Sequence, residues 1–302
     1  MTNDSGWPKI PYADWSDTCR TLHLWTQIVG KVRLVRTPLV NHWWNVTLYV
    51  TSRGLGTSPM PYEGKVFSID FDFIDHRLAI SVSDGTSGGF ELAPMTVADF
   101  YRRTMSALAR LGIDVRIHPR PNEIADGIPF ERDLEHRSYD PLAVGRFWRA
   151  LVQIDRVFTT FRSRFLGKVS PVHFWWGSFD HAVTRFSGRR APPHPGGIPA
   201  LPDSVVREAY SHEVSSAGFW PGGAGADAAF YSYAYPEPEG FSDAPVAPDG
   251  AFYSRELHEF LLPYEAVRRS PDPDAALTEF LQSTWERAAD LGRWDRQGLE
   301  RH

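Results

Sequence analysis

The sequence predicts an α+β fold of two related halves. Each half runs helix, antiparallel strands, helix, and the two pack about a pseudo-twofold axis. Three observations predict this. Apolar residues recur at helical spacing in four separate stretches. Period-two alternation and turn pairs such as Asp84-Gly85 mark antiparallel meanders between them. Landmarks of the first half return in the second: Gln27-Ile28 as Gln153-Ile154, Trp43-Trp44 as Trp175-Trp176, and Val50-Thr51 with Arg53 as Val183-Thr184 with Arg185. The halves are residues 1–139, ending in a linker, and residues 140–302, which carry a functional insertion at 188–250. Together they form one compact unit. Similar halves with apolar sheet faces pack as a homodimer does, leaving a cleft between them. An insertion in one half makes that cleft asymmetric.

Trp15, Thr18, Leu22, Trp25, Ile28, Val29 and Val32 predict a helix over 14–35, closed by Pro38. Alternation of Val46, Leu48 and Val50 predicts a strand within 42–51. A Gly/Ser/Pro loop follows at 52–64. Residues 65–92 read as a meander with Phe67, Ile69, Phe71 and Phe73 on one face. Asp70 and Asp72 lie on the other, which reads as a solvated face rather than a metal pair. Thr96-Val97-Ala98-Asp99 is a capping box opening a helix that Gly112 stops. Ile113, Val115 and Ile117 suggest a short strand. Residues 118–139 read as a linker or long surface loop. Asp140-Pro141 supplies N-cap and N1 for a helix to about 165. Ala229–Tyr235 alternates as a strand, 251–262 reads as a strand or short helix, and Asp272-Pro273-Asp274 caps a last helix reaching 291.

The 302 residues are 42% hydrophobic and 23% charged, the balance of an ordinary globule. A net charge of −5 argues against a nucleic-acid partner. A single cysteine, Cys19, permits no internal disulfide and no CxxC site, which fits a reducing cytoplasm. No apolar run is long enough for a transmembrane helix, and the polar N-terminus has no signal-peptide core, so no membrane partner is expected.

Aromatics are 14% of the chain, and residues 170–222 concentrate them with histidines, arginines and carboxylates. Trp175 and Trp176 point to opposite faces if 172–185 is one strand, or flank a tight hairpin turn if Gly177-Ser178 reverses the chain. In a hairpin His173 and Asp180 share a face. The continuous strand fits the repeat better, and it would set His173 and His181 far apart. His173, His194 and His212 with Glu213 are the residue types of a transition-metal site. Their spacing fits no helical motif, and each histidine bonding a backbone carbonyl is the plainer reading. His212 beside Glu213 suggests a proton-transfer pair. Phe219–Gly223 reads as an aromatic turn suited to a lid, or as a plain surface loop. Arg185, inside an apolar strand, needs a carboxylate: Asp180, Glu213 or an acidic ligand group.

The strings PVHFWWGSFDHAVTRFSGRR, HPGG and REAYSHEVSSAGFWPGG, with the opening WPKIPYADWSDTCRTLHLWTQIVGKVRL, resemble a family of uncharacterised bacterial proteins classed only as a domain of unknown function. The resemblance covers nearly the whole chain. It implies a soluble bacterial protein without an assigned activity, and it carries over no catalytic residue.

The functional expectation is a small-molecule enzyme. Trp175, Trp176, Trp220, Tyr231 and Tyr233 line its cleft. His212, Glu213 and Asp180 act as acid–base groups, and Arg185 holds an acidic group of the ligand. In its metal-dependent form a divalent transition metal sits on His173, His194, His212 and Glu213. A non-catalytic small-molecule binding protein and a protein-interaction module are the alternatives from other classes.

Overall fold

A computed structural model describes residues 6–223 and 225–301. Helix α1 (Ser16–Arg36) opens the first half. Its stripe of Leu22, Trp25, Ile28, Val29 and Val32 is fully buried. The strand expected over 42–51 shrinks to β1 (Tyr49–Val50). Residues Asn41–Trp43 form a 3-10 turn instead, with His42 and Trp43 at φ 58° and 61°. Local bonds claim the backbone that a ladder would need. The Asn45 side chain accepts the Val40 N–H, and Arg33 Nε donates to the Asn45 carbonyl.

The meander follows as β2 (Gly54–Gly56), β3 (Met60–Tyr62), β4 (Lys65–Asp72), β5 (Arg77–Val82) and β6 (Ser87–Glu91). The sheet order is β1-β2-β4-β5-β6, with β3 on the flank of β4. Phe67, Ile69, Phe71, Leu78 and Ile80 bury its inner face. Helix α2 (Val97–Arg110) covers that face, its N-terminus capped by Thr96 accepting the Asp99 N–H. Trp25 stacks on Phe100 at 4.7 Å, joining α1 to α2. Asp72 departs from the solvated reading. It is buried, pairs with Arg53 and accepts the N–H groups of Ile74 and Asp75, so it builds the β4–β5 turn.

Residues 113–117 form no strand, although Ile113 and Ile117 are buried. The loop beyond them is more than a surface linker. Asn122 N–H donates to Gln27 Oε1 at 2.8 Å, and Gln27 Nε2 donates back to the Asn122 carbonyl at 3.0 Å. That reciprocal pair pins the loop to α1.

Helix α3 (Pro141–Ser163) starts where the Asp140 carboxylate accepts the Leu142 and Ala143 N–H groups. Then come β7 (His173–Trp175), β8 (Asp180–Arg190), α4 (Asp203–Ala209), β9 (His212–Gly223), β10 (Ala226–Tyr235), β11 (Phe252–Ser254) and β12 (Glu259–Pro263). Helices α5 (Tyr264–Arg269), α6 (Pro273–Leu291) and α7 (Arg296–Leu299) close the chain. The second sheet is antiparallel, in the order β11-β12-β10-β9-β8-β7. Val183, Ala217, Phe219, Phe230 and Leu262 are buried on its inner face, under α3 and α6. The two sheets touch at one antiparallel bridge, where Leu48 and Phe174 exchange both N–H···O bonds at 2.9 and 2.7 Å.

Two expectations are corrected here. The 172–185 stretch is a hairpin, with Trp175 opposite Asp180, and not one continuous strand. The segment Phe219–Gly223 is neither lid nor surface loop, because it is the last part of β9, which pairs with β10 along it. Pro221 hid that strand. It lies beyond Phe219, the last residue of β9 with a β8 partner, where a missing N–H is tolerated as on an edge. Among the described residues, no helix is long and apolar enough to cross a membrane.

Two helical glycines test this packing in opposite directions. A Cβ on Gly30 would lie 2.3 Å from the Trp176 ring, whose Nε1 donates to the Val46 carbonyl. A Cβ on Gly145 would meet nothing within 4 Å. Gly30→Ala is expected to cost about 1–3 kcal/mol through overpacking. Gly145→Ala is expected to add about 0.5–1 kcal/mol through helix propensity. Urea denaturation of both variants checks the pair, and equal shifts would contradict it.

Candidate functional site: a carboxyl and tyrosine recess

Strand alternation sorts the second sheet into two chemistries. Thr184 pairs with Ser216, Ala182 with Gly218, Tyr231 with Gly218 and Tyr233 with Ser216, so these residues share the face turned away from α3 and α6. Asp180, Trp175 and Trp220 lie on the same face by the same register. Glu259 joins them from β12 by its spacing from Leu261, which pairs with Tyr231.

Gly218 makes the central contact possible. A Cβ there would sit 2.3 Å from the Tyr231 ring and hydroxyl. Without one, the ring lies across β9 and its hydroxyl donates to Asp180 Oδ2 at 2.5 Å. The Ser178 hydroxyl donates to the other oxygen, Oδ1. Gly177 plays a matching part in the hairpin turn. A Cβ at 177 would be 2.0 Å from Glu123 Oε1, so only glycine admits that carboxyl. His23 Nε2 bonds the Gly177 carbonyl at 2.8 Å and fixes the turn against α1. Glu123 itself stands at φ 60°, held by the loop pinned through Asn122.

Three carboxyls thus face one recess. Glu123 and Glu259 are both pushed up to about 7, by burial first and by the charge of Asp180 second. Burial also raises Asp180, against the Ser178 and Tyr231 hydroxyls that hold its charged form. No ion pair among the described residues involves any of the three. Tyr210 and Tyr233 share a hydroxyl–hydroxyl bond of 2.7 Å, and Thr184 bonds Ser216 at 2.8 Å. Burial raises the phenols, so they serve as neutral donors. His194 stacks on Tyr210 at 4.7 Å and its Nδ1 accepts the Gly196 N–H. Carboxyls that exchange protons near pH 7 are matched to general acid–base work.

The residues singled out from sequence divide. Asp180, Trp175, Trp220, Tyr231 and Tyr233 meet in this recess, with His194 at its tyrosine rim. Trp176 turns the other way into the core over Gly30. Arg185 is an odd number of residues from Asp180 on the same strand, so it faces the helices. Its guanidinium lies 3.5 Å from the Phe161 ring centre, with Phe165 and Trp285 near, and Nη2 donates to the Phe161 carbonyl at 2.5 Å. Neither Asp180, Glu213 nor a ligand in the recess reaches it. Burial depresses its pKa to about 9.

His212 and Glu213 are adjacent on β9 and point to opposite faces, so they cannot share a proton path. Glu213 pairs with Arg189 at 2.6 Å and accepts the Ser187 hydroxyl. It borders a hollow of about 100 Å³ with Arg189, Tyr235 and Trp294. That is small against the roughly 300 Å³ of ordinary ligand pockets. His173 is buried, with Nδ1 3.3 Å from Thr47 Oγ1. The expected metal set of His173, His194, His212 and Glu213 is therefore not brought together. Among the described residues no three His, Cys, Asp or Glu side chains are placed to hold a metal ion.

Sequence reasoning missed Glu123, Glu259, Tyr210 and Ser178. Glu259 left a signal, as the one charge heading the apolar run Phe260-Leu261-Leu262. Glu123 left none, because its position depends on a loop fold.

The raised carboxyls predict a pH dependence. Glu123 and Glu259 hold protons up to about 7 when folded, against an ordinary value of 4.5. The folded chain binds more protons between those values, so its stability falls as pH rises through that window. Glu123→Gln removes one ionisation and flattens the fall. Denaturation midpoints should be nearly unchanged by the substitution at about pH 4.5 and higher than wild type at about pH 8. An equal effect at both pH values would show that Glu123 ionises normally.

No curated protein and no solved structure matches the chain with significance. One family model matches nearly all of it, residues 7–301. By that match the chain belongs to the family of unknown function DUF5996.

Proposed function

We propose that the chain is a small-molecule enzyme that works by general acid–base catalysis in the carboxyl and tyrosine recess. One observation carries the reading: Glu123 and Glu259 each feel the charge of Asp180, none of the three has an ion-pair partner among the described residues, and Asp180 lies on a sheet face with Trp175, Trp220, Tyr231 and Tyr233. Glu123 and Glu259 transfer protons, since each is poised near neutrality. Asp180, fixed by Ser178 and Tyr231, is the anchored acceptor. None of the three carboxyls has an ion-pair partner among the described residues, so the group the recess receives is a protonated amine, held by carboxyls and ring faces.

The recess also supports the reading of a cleft between two related halves. Glu123 comes from the first half and Asp180 from the second. The Leu48–Phe174 bridge joins positions with the offset of Gln27 and Gln153, and Thr47 and His173, bonded to each other, are likewise 126 residues apart. Helices α1 and α3 cover nearly the same span at that offset. An antiparallel bridge between equivalent positions is what a pseudo-twofold axis through Leu48 and Phe174 produces.

Tryptophan fluorescence tests the ligand class, since Trp175 and Trp220 flank the carboxyls. Primary amines should quench saturably, and the matching carboxylic acids should not. Asp180→Asn should weaken amine binding at least tenfold, a loss of about 1.4 kcal/mol. Acids binding as well as amines, or an unaffected variant, would overturn the assignment. Bound amine that is recovered unchanged would make the protein a carrier in place of an enzyme.

A further inference from the structure

At the far end of the same sheet face the structure assigns a second site, one for a phosphate group. It is built from Lys168, His212 and Arg190 over His42, and the amine recess is not involved. His42 is 3% exposed and sits in the strained turn, where His42 and Trp43 are consecutive residues at φ 58° and 61°. Left-handed backbone at two non-glycine residues costs on the order of 1–2 kcal/mol each and persists only where the surroundings impose it. The turn packs the His42 ring against Phe186 at 4.5 Å and Trp44 at 5.3 Å. His42 Nδ1–H donates to the Ala209 carbonyl at 2.9 Å, which leaves Nε2 as an acceptor. The Lys168 ammonium donates to that Nε2 at 2.6 Å. The strained turn thereby holds a lysine in place.

The lysine is held among other cations. Its Nζ lies 5.4 Å from the Trp44 ring centre and 5.0 Å from that of Phe186. The His212 ring is 5.8 Å from the His42 ring, and Arg190 is the cross-strand partner of His212. Ser211 Oγ bonds His212 Nδ1 at 3.1 Å, which leaves Nε2 free to donate. The charges acting on Lys168, His42 and His212 include no carboxylate, and those neighbours depress the two histidines after burial does. Arg190 has no ion-pair partner among the described residues, because its neighbour Arg189 takes Glu213 on the opposite face. Lys168 and Arg190 are exposed and His212 is half-buried, so the cluster opens to solvent.

Three convergent donors that repel one another are stabilised by a dianion with three terminal oxygens. A phosphate monoester has that charge and shape. Its oxygens would be taken by the Lys168 ammonium, the Arg190 guanidinium and His212 Nε2–H.

The test uses the full chain and inorganic phosphate. The imidazole resonances of His212 are followed by NMR during a phosphate titration, with ionic strength held constant by sodium chloride. A saturable shift in the low-millimolar range is expected. Lys168→Met and Arg190→Gln, both at exposed positions, should each weaken it at least tenfold. A shift that chloride alone reproduces would reduce the cluster to ordinary screening and overturn the site. Unchanged phosphate affinity in Lys168→Met would overturn it as well. Amine binding in the recess should be the same in all three proteins, which separates the outcome from that of the amine reading.

Discussion

The two faces of the second sheet are the constraint on which the rest depends. Successive residues of β8, β9 and β10 point to opposite sides. The inner side carries Val183, Ala217, Phe219 and Phe230 against α3 and α6, and these side chains form much of the second half's core. Once that side is fixed, the outer side is fixed as well, and it presents Asp180, Thr184, Ser216, Tyr231 and Tyr233 together. A slip of one residue would bury Tyr231 under the helices and push Phe230 outward. The apolar packing thereby sets the register of the polar face.

Two kinds of buried charge result, and they differ in kind. Arg185 stays on the inner side in an aromatic cage of Phe161, Phe165 and Trp285, with one carbonyl partner and with Nε and Nη1 unbonded. Its flat cation lies on ring faces, so it is a packing element. On the outer side Asp180 has two hydroxyls for partners, and Glu123 and Glu259 each feel the charge of Asp180. Burial and mutual repulsion both favour their protonated forms, which shifts them toward neutrality where proton exchange is useful. An arginine in that recess would return them to ordinary anions.

Much of the fold could be read from local signals. Thr96 and Asp140 cap the helices that their sequences announce. The meander from Lys65 to Glu91 follows its alternation of Phe67, Ile69 and Phe71. The errors come where local chemistry was overruled. Local bonds use up the backbone of the expected Trp43-Trp44 strand: the Trp43 N–H donates to the Val40 carbonyl, the Val46 N–H to the Trp43 carbonyl, and Arg33 to the Asn45 carbonyl. Pro221 disguised a central strand as a turn. In the site, Asp180, Tyr231 and Tyr233 were legible as polar and aromatic residues in apolar strands. The pairing of His212 with Glu213 failed because neighbours on a strand face apart, a rule that needed only the correct element type. Glu123 was out of reach, since its approach depends on Gln27 and Gly177, each far from it in sequence.

Backbone strain follows the same map as the polar face. Glu123 and Phe179 both stand near φ 60°, one bearing a recess carboxyl and the other in the hairpin turn beside Asp180. His42 and Trp43 hold the same conformation beneath Lys168 and His212. Strain of this kind is costly and survives only where packing over-determines it. The core supplies that packing: Phe179 lies against Phe147 and Phe174, and His42 against Phe186. The aromatic richness of the chain therefore serves more than burial. Its rings hold unfavourable turns in place, and those turns carry the polar groups to the outer face of the sheet.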